Sequence, residues 1–192
     1  MHIAIFGGSF DPPHVGHMMA CYYILEVHGA DEVWMVPVFN HPFGKGLTPY
    51  ALRVEMCEAA AVPFCGRVKV SRMEEELHTG DAPVYTVDLL SHLKKTRPAD
   101  RLSFVVGSDV LAEAGEWKEF DRVRELASLL VLRRRGHQDK AEEHLAMLPE
   151  LSSSIVREAA RKGQPIDGLV PGSVLRLIER GRLYRGRTKS TP

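Results

Sequence analysis

The chain is poor in cysteine, and the three it has, Cys21, Cys57 and Cys65, form no CxxC pair. An odd number at irregular spacing argues against a disulfide framework and fits a reducing, cytoplasmic setting. Net charge is lacking too, because 25 Lys and Arg offset 25 Asp and Glu. No bulk attraction to nucleic acid or to a membrane surface is expected from such a balance. No apolar run approaches the ~20 residues of a membrane span. The opening stretch Ile3–Phe6 is too short for the apolar part of a secretory signal, and Asp11 follows closely. Internal repeats and low-complexity tracts are absent. So are two common phosphate signatures: the first loop lacks both a Gly-Lys-Ser/Thr ending and a GxGxxG fingerprint.

What is present reads as an α/β protein. A chain of 192 residues, 44% of them hydrophobic, fits one domain with a sizeable core. Five short apolar runs, Ile3–Phe6, Val33–Val38, Val68–Val70, Leu102–Val106 and Leu129–Leu132, are mostly continuous rather than alternating, as in strands covered on both faces. Helical stretches lie between and after them: His17–His28, Pro49–Ala61, Val84–Lys95, a region around Glu113–Leu126, Ser152–Lys162 and Ser173–Arg180. Alternating strands and helices predict a doubly wound parallel sheet, a Rossmann-like architecture, with helices at the C-terminal end. Residues 1–185 form one expected domain, and 186–192 a disordered tail. The Pro- and Gly-rich loop Phe39–Thr48 is expected to be mobile, and Arg133–Lys140 to be an exposed connection. Met18, Met19 and Tyr22 are placed on the buried face of the first helix, and Glu74-Glu75-Glu76 is read as a solvated acidic run.

The densest local signal is GGSFDPPHVGH, residues 7 to 17, directly after the first strand. Gly7 and Gly8 allow a sharp turn and a close approach to the backbone. Ser9 adds a hydroxyl, and Pro12 and Pro13 stiffen the loop. His14 and His17, three apart, share a face if a helix starts at Val15–Gly16. A helix N-terminus favours an anion, and two imidazoles add donors there. In an open α/β sheet ligands bind beyond the carboxyl ends of strands. The string therefore reads as a phosphate site. A zinc site from the two histidines is an alternative, though HExxH spacing and an evident third ligand are missing.

A second constellation, Leu151-Ser-Ser-Ser-Ile-Val-Arg157, precedes an amphipathic helix. The serines are N-cap candidates, and Arg157 lies one turn in, where a guanidinium can grip a phosphate with two bonds. A plain serine cap with a solvated arginine is the simpler account of this segment alone. Together the two segments suggest one polyphosphate held between two helix N-termini.

The loop with Ser152-Ser-Ser-Ile-Val-Arg157 resembles the nucleotidylyltransferase superfamily, with its GxFDxxHxGH-type loop and ISSTxIR-type motif. Pro83-Val-Tyr-Thr-Val-Asp-Leu-Leu90, Phe104-Val-Val-Gly-Ser-Asp-Val-Leu111 followed by Trp117, and Leu169-Val-Pro171 through Tyr184 are similar to segments of bacterial nicotinate-mononucleotide adenylyltransferases. The resemblance implies adenylyl transfer from ATP to a pyridine mononucleotide, with Mg2+ arriving on ATP. It implies that His14 and His17 bind α- or β-phosphate oxygens, and that Ser153, Ser154 and Arg157 hold the departing phosphates. It places Gly7, Gly8, Ser9, Phe10, Gly107 and Asp109 in the ATP site, Asp109 toward a ribose. Trp117 would stack on the pyridine ring, and backbone N–H groups around Thr86 and Trp117–Lys118 would meet the nicotinate carboxylate. His41 and Lys45, where the family carries a PPHK-like loop, would clamp the mononucleotide phosphate. Sister reactions on nicotinamide mononucleotide or phosphopantetheine stay open, as do a non-catalytic nucleotide sensor and a zinc hydrolase.

Overall fold

The structure is a computed structural model, and it describes residues 1–40, 46–80, 82–108, 117–132 and 148–185. Five strands, β1 (His2–Gly8), β2 (Glu32–Pro37), β3 (Val68–Val70), β4 (Arg101–Gly107) and β5 (Ser128–Leu132), form a sheet in the order β3-β2-β1-β4-β5, with every pairing parallel. The helices are α1 (Val15–Glu26), α2 (Tyr50–Ala61), α3 (Met73–Leu77), α4 (Thr86–Thr96), α5 (Phe120–Leu126), α6 (Ser153–Arg161) and α7 (Gly172–Arg180). All five apolar runs became strands. Among the described residues no helix is long and apolar enough to cross a membrane.

The sheet divides the core in two because strand side chains alternate. Ile3, Ile5, Leu102, Phe104 and Val106 join the cluster that includes Val87, Leu90 and Leu93 of α4 and Val123 of α5. Ala4, Val33, Met35 and Val105 join the opposite cluster, with Ile24 of α1, Met56 of α2, Val156 of α6 and Val174 of α7. Helices thus cover both faces, which is why the strands read as continuous apolar runs. Helix α4 adds matched charge, with Asp88 in its first turn and Lys94 and Lys95 in its last. Helix α1 ends before Gly29, whose φ of 62° suits glycine.

Several expectations are corrected. Only Met18 of its trio is buried; Met19 and Tyr22 are 48% and 51% exposed, because α1 turns them away from the sheet. Glu74 is not solvated: α3 carries it inward, where its Oε2 accepts the Phe39 N–H at 2.8 Å. The described stems of the 39–48 loop are bonded to the rest of the chain, as set out below, and its centre, residues 41–45, lies outside the described residues. The expected 113–126 helix is seen as Phe120–Leu126. Residues 113–116, all of 133–140 and the tail 186–192 lie outside the described residues.

Candidate active site

The strand order reverses between β1 and β4, and the loops leaving their carboxyl ends part there, forming the crevice where open α/β sheets bind ligands. The loop after β1 reaches it. Phe10, 1% exposed with φ of 45°, turns its ring back beneath Gly8. A Cβ on Gly8 would sit 3.1 Å from that ring, a tight contact that the Phe10 ring would have to relieve by shifting. A side chain at Gly7 would meet only the Phe104 ring, at 3.8 Å. The Phe10 ring stands edge-on to Phe6 and to His17, with centroids 5.5 and 4.9 Å away, and forms a floor for the imidazole.

His14 is the N-cap of α1 and is 2% exposed. Its carbonyl accepts from the His17 N–H at 2.9 Å, and its own N–H donates to His17 Nδ1 at 3.1 Å. An Nδ1 that accepts places the proton of a neutral His17 on Nε2, so the ring presents a donor away from its backbone. The two rings stack, with centroids 3.7 Å apart and planes 27° from parallel. Gly16 permits the stack, because a Cβ there would lie 3.0 Å from His14 Nδ1. Not every N–H at this helix start is open to an anion: Val15 donates to the Leu169 carbonyl at 3.0 Å. Near-parallel rings aim their in-plane lone pairs side by side rather than at one point, which does not suit a shared metal. Among the described residues no group of three or more His, Cys, Asp or Glu could hold one.

The start of α6 meets the same loop. Ser152 is the N-cap, accepting from the Ile155 N–H at 3.3 Å. Ser153 Oγ donates to the Pro12 carbonyl at 2.9 Å. Arg157 Nη1 donates to the Asp11 carbonyl at 2.6 Å, while Nη2 donates to Ser154 Oγ at 3.1 Å. Two segments about 140 residues apart are therefore stitched together at the loop's two peptide oxygens. His14, Gly16 and His17 share a small cleft of ≈ 40 Å³ with Gly107 at the end of β4, Leu132 at the end of β5 and Leu151 before α6. A larger open groove of ≈ 580 Å³ lies between α2 and α7, lined by Glu55, Glu58, Arg176 and Arg180, but no strand end or loop of this cleft reaches it.

Across the switch point stand the acceptor-side candidates. Thr86 opens α4, and Asp88 Oδ2 accepts the Tyr85 N–H at 3.4 Å. Lys118 Nζ is 3.5 Å from Asp88 and 4.7 Å from the centre of the Tyr85 ring. The structure therefore brings Thr86 and Lys118 to one place. Trp117 is partly buried, in T-shaped contact with Phe104 and Phe120 at 5.7 and 5.9 Å. His41, Lys45 and Asp109 lie outside the described residues.

The sequence reading gave four polar residues behind the site no part in it. Arg53 is 1% exposed and donates to the carbonyls of Ser9, Val38 and Thr48 at 2.9, 2.7 and 2.9 Å. One guanidinium thus pins the β1 loop and both stems of the next loop. Asp11, 2% exposed, accepts from the Thr48 N–H at 3.2 Å and from the Tyr184 hydroxyl at 2.6 Å. Burial lifts the Glu74 carboxyl to about 7, although the Phe39 N–H and Arg53 oppose the rise. Arg53 had one legible signal: it sits four residues before Cys57, on the apolar stripe of α2. Asp11, Glu74 and Tyr184 had none in periodicity, because their partners are remote in sequence.

Fold and cleft together define an open, doubly wound parallel α/β protein with two histidines and the segment before α6 gathered at its switch point. The profile of the cytidylyltransferase-like family matches residues 5–159, which takes in both constellations. A protein of Anaeromyxobacter dehalogenans (strain 2CP-C) named "Probable nicotinate-nucleotide adenylyltransferase" is 46% identical over 185 residues, 96% of this chain and 97% of that protein. The nicotinate-nucleotide adenylyltransferase of Bacillus subtilis (strain 168) is 33% identical over 189 residues, 95% and 97% of the two chains. The chain belongs to the cytidylyltransferase-like family and, within it, to the nicotinate-nucleotide adenylyltransferases. The fold is shared with Plasmodium falciparum nicotinic acid mononucleotide adenylyltransferase complexed with NaAD, at a TM-score of 0.79, 21% identity and 95% and 97% coverage.

Proposed function

We propose that the chain transfers the adenylyl group of ATP to nicotinate mononucleotide, giving deamido-NAD and pyrophosphate in NAD biosynthesis. A phosphate oxygen of the mononucleotide forms a bond to the α-phosphorus of ATP. The bond from that phosphorus to the bridging oxygen breaks, and pyrophosphate leaves with the electron pair. A phosphomonoester, with its second pKa near ~6, is largely ionised at neutral pH, so no strong base is needed. What the protein must supply is alignment and donors for accumulating charge. His14 and His17 serve the α- and β-phosphates, the latter through its Nε2–H. Ser153, Ser154 and Arg157 serve the departing phosphates, and Gly7, Gly8, Ser9, Phe10 and Gly107 shape the space around them. Magnesium enters as part of the substrate, MgATP.

On the acceptor side, Trp117 offers a ring for the pyridine. The N-terminus of α4 at Thr86, with Lys118 beside it, offers donors for a carboxylate. That pair favours nicotinate over the neutral amide of nicotinamide. Buried free thiols at Cys21 and Cys57 suit the reducing cytoplasm. The observation that carries the reading is the meeting of Ser153 and Arg157 with the Asp11 and Pro12 carbonyls, beside the stacked histidines. The test is pyrophosphate release with ATP, magnesium and, in turn, nicotinate mononucleotide, nicotinamide mononucleotide and phosphopantetheine, compared as kcat/KM. Highest turnover with the first is expected. ATP binding without release from any acceptor would mean a sensor. Activity abolished by a chelator and not restored by magnesium would mean a zinc enzyme.

A further inference from the structure

The histidine loop is bonded to a residue near the far end of the described chain. Tyr184 follows α7, and its hydroxyl is 2.6 Å from Asp11 Oδ1, with the Met56 sulfur at 4.0 Å. The other carboxylate oxygen takes the Thr48 N–H, and the Asp11 carbonyl takes Arg157. Asp11 is thus a junction for three chain segments, three residues before the His14 ring. We propose that Tyr184 is a positioning residue for adenylyl transfer: its hydroxyl, acting through Asp11, fixes where the 9–14 loop presents His14 and His17 to the triphosphate. Removing that donor leaves a buried acceptor short of one bond, and the least costly relief is a shift of the loop toward other donors. Burial, and then the bond to Asp11, hold the Tyr184 phenol far above its ordinary range, so the hydroxyl keeps its proton at any working pH.

The inference rests on the proposed reaction, so the wild-type chain must first release pyrophosphate; if it does not, that reading fails and not this one. Given wild-type turnover, Tyr184→Phe removes one oxygen and is expected to lower kcat about tenfold or more, because small misplacements of aligned groups cost rates of that order. The mononucleotide KM should stay within twofold, since the Tyr184 hydroxyl is bonded to the histidine loop. Asp11 meets Thr48 with Oδ2 and Tyr184 with Oδ1, so Asp11→Asn must set its NH2 against one of those two donors, and it should give a similar loss. The double variant should be within twofold of the worse single one, because both changes cut the same link. Val174→Ala, in the core of α7 and 0% exposed, is the control. It should lower Tm at least as much as Tyr184→Phe while leaving kcat within twofold. Unchanged kcat in Tyr184→Phe, multiplied losses in the double variant, or an equal loss from Val174→Ala would each overturn the proposal. If Tyr184→Phe does not fold, the comparison of Asp11→Asn with Val174→Ala decides.

Discussion

On the side of the switch point proposed to take the triphosphate, Asp11 and His14 are each 2% exposed, and Ser9, Asp11 and Pro12 are bonded to remote parts of the chain. On the side proposed to take the acceptor, Tyr85 is 39% exposed, and the Lys118 and Asp88 side chains are 43% and 49% exposed, joined by one long ion pair. The reacting phosphates need donors fixed before they arrive, because reorganising donors during the reaction would add to the barrier. The acceptor needs only to be captured and oriented. Rigid burial on one side and open, solvated contacts on the other match those two tasks. The contrast predicts that changes on the first side act on kcat and changes on the second act on KM.

The largest effect should come from His17→Ala. It deletes the Nε2–H donor and leaves the His14 N–H and the Phe10 ring without their partner. A loss of ~10² or more in kcat is expected, the scale for removing one preorganised donor. Circular dichroism should show an intact fold. A loss confined to KM would erase the proposed division between the two sides. Next comes Trp117→Ala, which removes the candidate platform for the pyridine. The mononucleotide KM should rise about tenfold, roughly 1.4 kcal/mol, with kcat changed less than threefold. An equal fall in kcat would mean that Trp117 mainly supports Phe104 and Phe120.

The same contrast governs how much could be read from residues alone. The five strands were legible because burial on both faces makes their apolar runs continuous. His14, His17 and Ser152–Arg157 were legible because their chemistry is written locally, at two helix starts. The clamp behind them was not. Arg53, Asp11 and Tyr184 act on carbonyls, an N–H and a carboxylate that are 5 to 173 residues away, and no local pattern encodes such pairing. Glu74 misled for a related reason. Three successive glutamates look solvated, but the single turn of α3 points only one of them inward, toward a backbone N–H that sequence does not mark.

Glu74 allows a prediction about stability rather than rate. Its folded pKa, raised by burial to about 7 from an ordinary 4.5, means that the folded state resists ionisation more than the unfolded chain does. Between those values the folded protein holds the extra proton, so stability falls as pH rises through the window, and the cost is fully present above about 7. Glu74→Gln keeps an oxygen for the Phe39 N–H and removes the charge. It should stabilise the protein at pH 8 by up to about 3 kcal/mol, a Tm gain of several degrees, and have little effect at pH 4.5. A gain of the same size at both pH values would show that volume or packing, not charge, is responsible.

The smallest effect belongs to the exposed pair. Lys118 and Asp88 meet at 3.5 Å in water-accessible surroundings, where such pairs contribute ~0–1 kcal/mol. Asp88→Asn keeps an oxygen near the Tyr85 N–H but drops the charge facing Lys118. Its Tm should change by less than about 2 °C. If Lys118 is to receive a substrate carboxylate, Asp88 competes with it, and the variant should lower the nicotinate mononucleotide KM by up to threefold while leaving that for nicotinamide mononucleotide alone. A rise in the nicotinate KM would instead mean that Asp88 holds Lys118 in place for the substrate. The open side would then share the fixed construction of the histidine side.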